Sequence, residues 1–591
     1  MGLLRNWRFL LLSLVAIGAV AAFAACGGDD EKKDGGGEAS PTGGSPAAGE
    51  RIKGGTLRVQ QVEPQKLDPH FSSFAQDISV QRMLWRGLYS LDTDNKPVPA
   101  MADGDPEVSA DGKTFTIKLK EGLLWSDDDP LLAEDFVLGI LRTCDPVNAG
   151  EYTSTIFNIA GCPELYNAFA GPDGDPGTGD DLPADTDLTS LRDAVGVKAV
   201  DDTTVEFTLS EAGPTFPTIL SLWMTFPMPA HLFPDPSEAF PANSDVPGAL
   251  AYNGPYILTS YTAGQGGGAT LEPNPNWKEE YSPVGAAPTL DKVELKWLDD
   301  FAVSQRAYES DELDFSTVDL TQLESTVAKF EPTGEYLKHN KASTRGLEMN
   351  EDHPPLDDVD VRLAFGKAVD WQQMIDNCYG GGHTLTTTWI PQDIPGGQAP
   401  DWRAAEYAFD VDAAKALVEG KPDMDREFDL IVRQGTESEC QGAFIQEALR
   451  ANLGVNVKLE AVEGPVRSAR FREETFDLFP GGWVQDYPDP ENWIVGLYNT
   501  GGALNHYNCS RPEIDKLLEE NEFNLDEDAR IAAYERINEI IVDEACGIFV
   551  YYHEADHYLA KPNTVGMFEN STVQNAGIAG DWAAEAWGVS E

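Results

Sequence analysis

The stretch PVPAMADGDPEVSADGKTFTIKLKEGLLWSDDDPLLAEDFVLGILR, residues 97–142, decides the fold class of this chain. Residues 114–119 alternate apolar and polar side chains, which is typical of a strand with one buried face. A polar turn follows, and apolar residues at helical spacing begin near Ala133. Strand, turn and helix signals keep mixing in this way to the C-terminus. The sequence therefore predicts an α/β or α+β protein rather than a helical bundle or a β-sandwich.

Two neighbouring segments extend this pattern. The segment DISVQRMLWRGLYSLD, residues 77–92, predicts a helix that carries Ile78, Met83, Leu84 and Leu88 on one face. The segment FDLFPGGWVQDYPDPENW, residues 476–493, predicts a strand over residues 476–479, a glycine opening and an aromatic-rich turn.

Length and charge exclude several functions. With 591 residues, of which 41% are hydrophobic, the chain is long enough for two or three globular units. Its 100 acidic and 42 basic residues give a net charge of −58, which repels nucleic acids and anionic membrane surfaces. We therefore expect no nucleic-acid partner and interpret the acidic excess mainly as a solvated surface.

The N-terminus has the features of a secretion signal. Two arginines precede an apolar run over residues 9–25, and Cys26 ends that run. Seventeen apolar residues would also suit a short membrane anchor, but FAAC resembles the bacterial lipobox, in which the cysteine is acylated. We expect a signal peptide over 1–25, lipidation of Cys26 and a flexible tether over 26–50.

Six further cysteines would then lie in an oxidising compartment, where disulfides persist. Six cysteines allow fifteen complete pairings. Only the pair Cys144 with Cys162, which flanks a short stretch of chain, is predicted here.

The segment VYYHEADHYLAK, residues 550–561, contains His553, Glu554 and His557 in the spacing of a zinc peptidase. That chemistry requires both histidines on one helical face, whereas the preceding residues GIFVYY indicate a strand. On a strand the two histidines would be about 13 Å apart, too far to share one zinc ion. Glu569 and Glu585 are candidate third ligands without a helical pattern. A secreted zinc peptidase is kept as an alternative.

One other loop could hold a metal. The segment GPDGDPGTGDD, residues 171–181, offers Asp173, Asp175, Asp180 and Asp181 as oxygen ligands for calcium. It lacks the spacing of an EF-hand loop, so an acidic surface loop is the preferred interpretation. No cofactor is predicted.

Residues 97–142 resemble the signature region of the family 5 extracellular solute-binding proteins, whose best-known members bind dipeptides and oligopeptides for ABC importers. Further blocks follow in the order of that family, from about residue 51 to the C-terminus: LDPH at 67, LWRGLYSLD at 84, VKAVDDTTVEFTLSE at 197, NGPYILTSY at 253, PNPNWKE at 273, PPLDDVDVRLAFGKAVDWQQMI at 354, GGWVQDYPDPENW at 481 and GIFVYYHEADHYLAKP at 547.

The resemblance implies a periplasmic-binding-protein-like fold of type II, with two hinged lobes and an extra inserted domain. Lobe I would comprise residues 51–85, 230–342 and 556–591. The inserted domain would comprise 86–229, and lobe III would comprise 343–555. Ligand would bind between the lobes, which close by a hinge near residues 342 and 556.

The resemblance also implies ligand-binding residues. Asp486, three residues after Trp483, matches the aspartate that receives the α-ammonium group of a peptide. Aromatic rings of Trp483, Tyr487 and Trp493 could contact a cation or a side chain. Gly482 to Val484, and Ser73, Phe74 and Ala75, match segments that pair with the ligand backbone. Tyr152 and Trp389 match positions that line side-chain pockets.

One residue departs from the pattern of the peptide binders. Where they place a basic residue before the G-x-W motif, this chain has Pro480, and only Arg467, Arg470 and Arg472 lie nearby in sequence. A non-peptide solute, such as a metal complex or a sugar, is therefore an alternative ligand. The preferred expectation is a monomeric, lipid-anchored, extracytoplasmic receptor that delivers peptides to an ABC permease and catalyses no reaction. A signalling receptor on the same scaffold would differ only in its partner.

Overall fold

The computed structural model describes residues 50–148, 150, 152–169, 182–183, 186–568 and 578–591. Within them lie seventeen α-helices: α1 (Ala75–Leu84), α2 (Ala133–Cys144), α3 (Cys162–Tyr166), α4 (Thr189–Arg192), α5 (Phe216–Ile219), α6 (Val246–Ala249), α7 (Phe301–Glu309), α8 (Leu323–Phe330), α9 (Val359–Lys367), α10 (Trp371–Tyr379), α11 (Ala404–Tyr407), α12 (Val411–Val418), α13 (Thr436–Leu453), α14 (Gly464–Arg472), α15 (Glu491–Ile494), α16 (Pro512–Asn521) and α17 (Glu527–Asp543). Among the described helices, none is long and apolar enough to span a membrane.

The same residues form nineteen strands: β1 (Thr56–Gln61), β2 (Tyr89–Leu91), β3 (Pro97–Pro99), β4 (Glu107–Val108), β5 (Thr114–Lys118), β6 (Val197–Asp201), β7 (Thr204–Thr208), β8 (Tyr256–Thr262), β9 (Gly268–Pro273), β10 (Lys292–Trp297), β11 (Phe315–Thr317), β12 (Tyr336–Met349), β13 (Thr384–Leu385), β14 (Glu427–Arg433), β15 (Asn456–Val462), β16 (Leu478–Val484), β17 (Ile548–Ala560), β18 (Thr564–Val565) and β19 (Gly588–Val589). The prediction of a mixed α/β protein is confirmed.

One large sheet runs through the molecule, in the order β15-β14-β16-β12-β17-β11-β1-β10-β9-β8, with β13 added to β17. Its middle is formed by the long strands β12 and β17, which pair antiparallel with irregular register near residues 340–346. The parallel pair of β1 and β10 lies on one side, and the parallel pair of β14 and β15 lies on the other. The predicted crossings near residues 342 and 556 fall within β12 and β17.

A separate four-stranded sheet, β4-β5-β7-β6, lies within the predicted inserted domain. The alternation predicted for residues 114–119 is confirmed, because Phe115 and Ile117 are buried in β5 while Lys118 is exposed. Helix α2 begins at Ala133, as the apolar spacing predicted. Its residues Phe136 and Ile140 are buried in the same core.

The buried apolar residues form two large cores. The first core joins residues of the predicted inserted domain, such as Trp125 and Phe136, with Leu57 and Trp297 of the large sheet. The second core collects residues from Ala342 to Tyr552. The inserted domain thus shares its core with the elements predicted for lobe I. The domain boundaries given above remain predictions.

Aspartate begins many of the helices. The side chains of Asp300, Asp358, Asp370, Asp410 and Asp526 each accept a hydrogen bond from a backbone N–H in the first turn of α7, α9, α10, α12 and α17. Such caps satisfy N–H groups that have no partner within the helix, and their negative charge suits the helix N-terminus. Part of the acidic excess therefore has a local structural use.

Two predicted elements have different bounds in the structure. Helix α1 ends at Leu84, because Trp85 is extended, so Leu88 is not helical as predicted. At Gly87, where the predicted helix would have continued, a Cβ would lie 2.7 Å from the carbonyl oxygen of Leu220, so another segment packs closely against the chain there. The strand predicted at 476–479 is instead β16, which continues through both glycines to Val484.

Three disulfides join the six cysteines of the described residues. They are Cys144–Cys162, Cys378–Cys440 and Cys509–Cys546. The first confirms the predicted pair. The other two lie among elements of the second core, where Cys509 and Cys546 are fully buried.

Gly366 in α9 provides a test of packing in the second core. A Cβ at this position would lie 2.1 Å from the ring of Phe549 on β17, so the buried ring would have to move. We expect Gly366→Ala to lower the free energy of unfolding by about 1–3 kcal/mol, the usual cost of overpacking. Denaturant unfolding measures the effect, with Gly248→Ala in α6 as control because nothing lies within 4 Å of its added Cβ. Equal stability of the two variants would contradict the packing described here.

Candidate functional site

Asp486 lies in the turn between β16 and α15, and its carboxylate is held from two directions. The amide of Asn492 donates to Oδ2 at 3.0 Å, and the hydroxyl of Tyr152 donates to Oδ1 at 2.8 Å. The backbone N–H of Asp486 donates in turn to Asn492 Oδ1 at 2.9 Å. Tyr152 is 334 residues away in sequence. Two of the predicted ligand-binding residues are thus in direct contact.

Burial raises the pKa of Asp486 to about 6, although the hydrogen bonds from Asn492 and Tyr152 lower it in part. Burial disfavours the charged form of a carboxylate, and a nearby positive charge would favour it. Above pH 6 the carboxylate is therefore mainly ionised. This environment suits the binding of a cationic group from solution.

A cavity of about 650 Å³ opens beside Asp486. One wall comes from residues 152–159 and 212–219 of the predicted inserted domain, and the other comes from residues 483–523 of predicted lobe III. Four predicted site residues line it: Tyr152, Trp483, Asp486 and Tyr487. The volume is within the range of small-ligand pockets.

Sequence reasoning missed Glu491, which also lines this cavity. Thr215 Oγ1 donates to Glu491 Oε2 at 2.9 Å, and the hydroxyl of Tyr487 donates to Oε1 at 3.3 Å. Burial, followed by the negative charge of Asp489, raises the pKa of Glu491 to about 7. The position of Glu491, five residues after Asp486 and first in α15, was a usable signal. Thr215 carried none, because its contact spans 276 residues.

Gly482, Trp483 and Val484 lie on β16, which pairs with β12 along one edge. On the other edge, the described residues show a bridge to β14 only at Leu430 and Leu478. The indole Nε1 of Trp483 donates to Asn492 Oδ1 at 3.1 Å, which links the strand to the Asp486 turn. The second edge of β16 beyond Leu478 is therefore where an added strand would find backbone groups.

Ser73, Phe74 and Ala75 lie apart from the lining of this cavity as far as the described residues define it. Phe74 is extended and 46% exposed, and Ala75 is the first residue of α1. The pairing of this segment with a ligand remains a prediction.

Trp389 and Trp493 belong to the second core rather than to the lining of the cavity. The indole Nε1 of Trp389 donates to the carbonyl oxygen of Trp493 at 2.7 Å, and the two rings pack edge to face. Both side chains are almost fully buried. Protein encloses both rings in this conformation, and their contact with a ligand remains a prediction.

The arginines near Pro480 have distinct partners. Arg467 Nη2 donates to the carbonyl oxygen of Pro480 at 2.5 Å, and its guanidinium lies over the ring of Phe479. Arg470 instead binds the carbonyl oxygen of Thr475. Arg467 thus places a positive charge beside the position at which the peptide-binding pattern has a basic residue.

The segment with peptidase spacing forms part of β17, which confirms the predicted strand. His553 Nε2 contacts Thr386 Oγ1 at 2.9 Å, and His557 Nε2 contacts the carbonyl oxygen of Gly382 at 2.8 Å. Burial lowers the pKa of each histidine to about 4. The residues form no helix that could bring both rings to one zinc ion.

The candidate third ligands give no support to a zinc site either. Glu585 is buried and pairs with Arg86 at 2.8 Å, while Glu569 lies outside the described residues. Glu554 is bound by Arg345 through two hydrogen bonds of 3.0 and 3.1 Å. Its carboxylate is therefore held in an ion pair between strands.

Two groups of side chains elsewhere have metal-ligand proximity. Asp127, Asp129 and His231 are exposed, with ligand atoms within 4.8 Å of one another. The second group contains Cys509 and Cys546, whose sulfurs are joined in a disulfide and do not ligate. The predicted calcium loop at 171–181 lies outside the described residues, as do the predicted signal peptide, Cys26 and almost all of the tether.

Comparison with known proteins decides the family. The model for Bacterial extracellular solute-binding proteins, family 5 Middle, matches residues 96–505. The chain belongs to this family. As a family 5 solute-binding protein, it is 26% identical to the periplasmic oligopeptide-binding protein OppA of Escherichia coli over 569 residues, which cover 95% of this chain and 97% of that protein. It is 25% identical over 533 residues to OppA of Bacillus subtilis, covering 88% of this chain and 91% of the relative.

A solved structure supports the fold of this family 5 protein. The Escherichia coli murein tripeptide binding protein MppA matches with a TM-score of 0.70 at 20% identity, covering 92% of this chain and all of MppA. The predicted two-lobed binding-protein fold of type II is therefore confirmed. Another relative, 27% identical over 511 residues, is a probable deoxycholate-binding periplasmic protein, YgiS, of Escherichia coli; the match covers 86% of this chain and 88% of YgiS.

Proposed function

We propose that this family 5 solute-binding protein captures peptides outside the cytoplasmic membrane and delivers them to an ABC permease. The observation that carries the proposal is the carboxylate of Asp486, fixed by Asn492 and Tyr152 at the wall of a cavity of about 650 Å³. A peptide α-ammonium has three N–H donors and leaves water readily only for a fixed, ionised acceptor. The matched oligopeptide-binding relatives support the choice of a peptide over another amine.

The backbone of the ligand would be held by β16. Beyond Leu478, the described residues leave the second edge of this strand without a bridge to β14. A peptide that adds there as a strand would gain hydrogen bonds that do not depend on its sequence. Gly482 of this strand has a φ of +141°, which favours glycine, and a Cβ there would lie 2.0 Å from the carbonyl oxygen of Thr344 on the neighbouring strand β12.

Closure over the ligand would bring the two cavity walls together. Tyr152 and Asp486 come from opposite walls, as do Thr215 and Glu491, so these hydrogen bonds hold the walls together. We propose that a hinge in β12 and β17, near residues 342 and 556, opens and closes this gap. Lipidation at Cys26, with residues 26–50 as tether, would keep a monomeric receptor beside its permease.

Asp486→Asn tests this function. It keeps the shape of the side chain but removes the charge that would meet the α-ammonium. We expect peptide affinity to fall at least about tenfold, or about 1.4 kcal/mol. Calorimetric titration of the chain from residue 27, unfolded and refolded to remove bound ligand, measures the change. Asp412→Asn, an exposed aspartate on α12, is the control with the same loss of charge.

The natural ligand can be identified at the same time. Native mass spectrometry of the chain from residue 27, followed by denaturation, releases whatever co-purifies. A ladder of small peptides would support the proposal. A single non-peptide molecule would contradict it and move the protein to the non-peptide alternative. Unchanged peptide affinity in Asp486→Asn would exclude Asp486 as the acceptor of the α-ammonium group.

A further inference from the structure

Two carboxylates of the cavity occupy separate positions. Asp486 is held by Asn492 and Tyr152, whereas Glu491 is held by Thr215 and Tyr487. These two sets of donors have no member in common. A ligand in this cavity would therefore meet two acceptor positions, of which the α-ammonium of a peptide can fill only one.

The lining of the cavity is acidic and aromatic. Asp486, Glu491 and Glu522 line it, and no lysine, arginine or histidine is found among its described lining residues. Aromatic rings and aliphatic side chains form much of the remaining wall, including Phe157, Phe216 and Phe523. Such a surface accommodates a long aliphatic stem that ends in a positive charge, because the stem packs against apolar groups while the charge reaches a carboxylate.

Glu491 lacks a cationic partner of its own within the described part of the chain. The nearby guanidinium of Arg530 is taken by Asp489, through contacts of 2.7 and 2.9 Å. Glu491 is two residues after Asp489, but the carboxylate of Glu491 accepts hydrogen bonds only from the neutral hydroxyls of Thr215 and Tyr487. A carboxylate that lines a cavity with neutral donors alone gains most from a positive charge that arrives with a ligand.

The distance from the backbone beside Asp486 to the carboxylate of Glu491 is about the length of one long side chain. Tyr487 follows Asp486 directly, and its hydroxyl contacts Glu491. The carboxylate of Glu491 thus lies about one tyrosine side chain from the backbone beside Asp486. A lysine or arginine side chain spans a similar length.

We propose that Glu491 receives the positively charged side chain of the first ligand residue, so that this cavity selects peptides beginning with lysine or arginine. The inference rests on the proposed function, in which Asp486 holds the α-ammonium group. Thr215 closes over the same carboxylate from the inserted domain, so a bound basic side chain would be enclosed when the walls meet. Glu522 adds negative charge to the lining around it.

Matched peptides test the selection. The chain from residue 27 is titrated at pH 7.5 with Lys-Ala-Ala and with norleucine-Ala-Ala, and then with the corresponding pentapeptides. Norleucine keeps the aliphatic stem but lacks the ammonium group. We expect the lysine peptide to bind at least about tenfold more tightly, because a site that holds a charged donor discriminates strongly against an analogue without it.

The variant Glu491→Gln should remove this preference and leave the affinity for the norleucine peptide unchanged or higher. Glu519→Gln, an exposed glutamate on α16, is the control for general loss of negative charge and should keep the preference. Equal affinity of the wild-type protein for both peptides would overturn the inference while leaving the proposed function intact. Binding of neither peptide would overturn both, and the wild-type comparison holds even where a variant does not fold.

Discussion

Replacing Glu554 with glutamine is expected to lower the free energy of unfolding by about 3 kcal/mol. Glu554 lies on β17 and accepts hydrogen bonds from Arg345 and Ser343 of β12, with Lys341 at 3.7 Å. Its side chain is only 18% exposed. Removal of the carboxylate charge would leave the partly buried charge of Arg345 without this partner, at the junction of the two longest strands, while Lys341 would keep Asp556 at 3.8 Å.

The pH dependence of this contribution has a definite sign. Burial alone would raise the pKa of Glu554, but Arg345 and Lys341 outweigh burial and hold the pKa well below its usual range. A carboxyl with a lowered folded-state pKa stabilises the protein above its ordinary pKa, and that stabilisation is lost as the pH falls toward the lowered value. The difference between wild type and Glu554→Gln should therefore be full at pH 7 and shrink below about pH 4.

Denaturant unfolding at pH 7 and at pH 3 measures both effects. Glu447→Gln is the matched control, since the pair of Glu447 with Arg450 is exposed on one helix and its loss should leave stability unchanged. A Glu554→Gln variant as stable as wild type would contradict the ion pair as a source of stability. An EDTA-sensitive peptidase activity that disappears in this variant would instead support the zinc alternative.

Local patterns in the sequence predicted the elements that local contacts determine. The alternation of residues 114–119 identifies β5, and the β-branched and aromatic run before His553 identifies β17. These signals are reliable because the two faces of a strand repeat every second residue. The helix from residue 77 was extended too far, because the close approach of Leu220 at Gly87 is not visible in the local sequence.

The site depends on contacts that no local pattern contains. The resemblance supplied Asp486 and Tyr152 as separate residues, while their hydrogen bond and the cavity beside it come from the fold. Glu491 was overlooked because a glutamate after a proline-rich turn is ordinary unless its distant partner Thr215 is known. Trp389 is the reverse case: the resemblance named it as a residue that lines a ligand pocket, whereas its ring is buried in the core in this structure.

Peptide affinity should fall steeply as the pH is lowered from 7.5 to 5. In the free protein the pKa of Asp486 is about 6, and that of Glu491 is about 7. A cationic ligand requires both carboxylates to be ionised, so protons compete with the ligand below these values. Protonation of Asp486 would weaken any peptide about tenfold at pH 5, and protonation of Glu491 would weaken a lysine peptide at least about tenfold more.

The other charged groups around Asp486 and Glu491 do not reverse the expected loss of peptide affinity at low pH. Arg530, paired with Asp489, has its pKa raised further above neutrality, chiefly because the hydrogen bond and charge of Asp489 outweigh burial. Two tyrosines, Tyr487 and Tyr534, lie near Glu491. Burial raises the pKa of each well above the usual value for tyrosine, so both stay neutral. Burial also raises the pKa of Glu522, whose protonation at low pH removes negative charge in the same direction.

The measurement compares two peptides at two pH values. Titration with Lys-Ala-Ala should show a total loss of at least about a hundredfold between pH 7.5 and pH 5, whereas norleucine-Ala-Ala should lose only about tenfold. In the Glu491→Gln variant, the affinity for the lysine peptide should fall only about tenfold over the same pH range. Proton release on binding at pH 6.5, measured in two buffers of different ionisation enthalpy, should be larger for the lysine peptide. An equal pH dependence for the two peptides would show that Glu491 does not meet the ligand, and an affinity that rises toward low pH would exclude Asp486 as the ammonium acceptor as well.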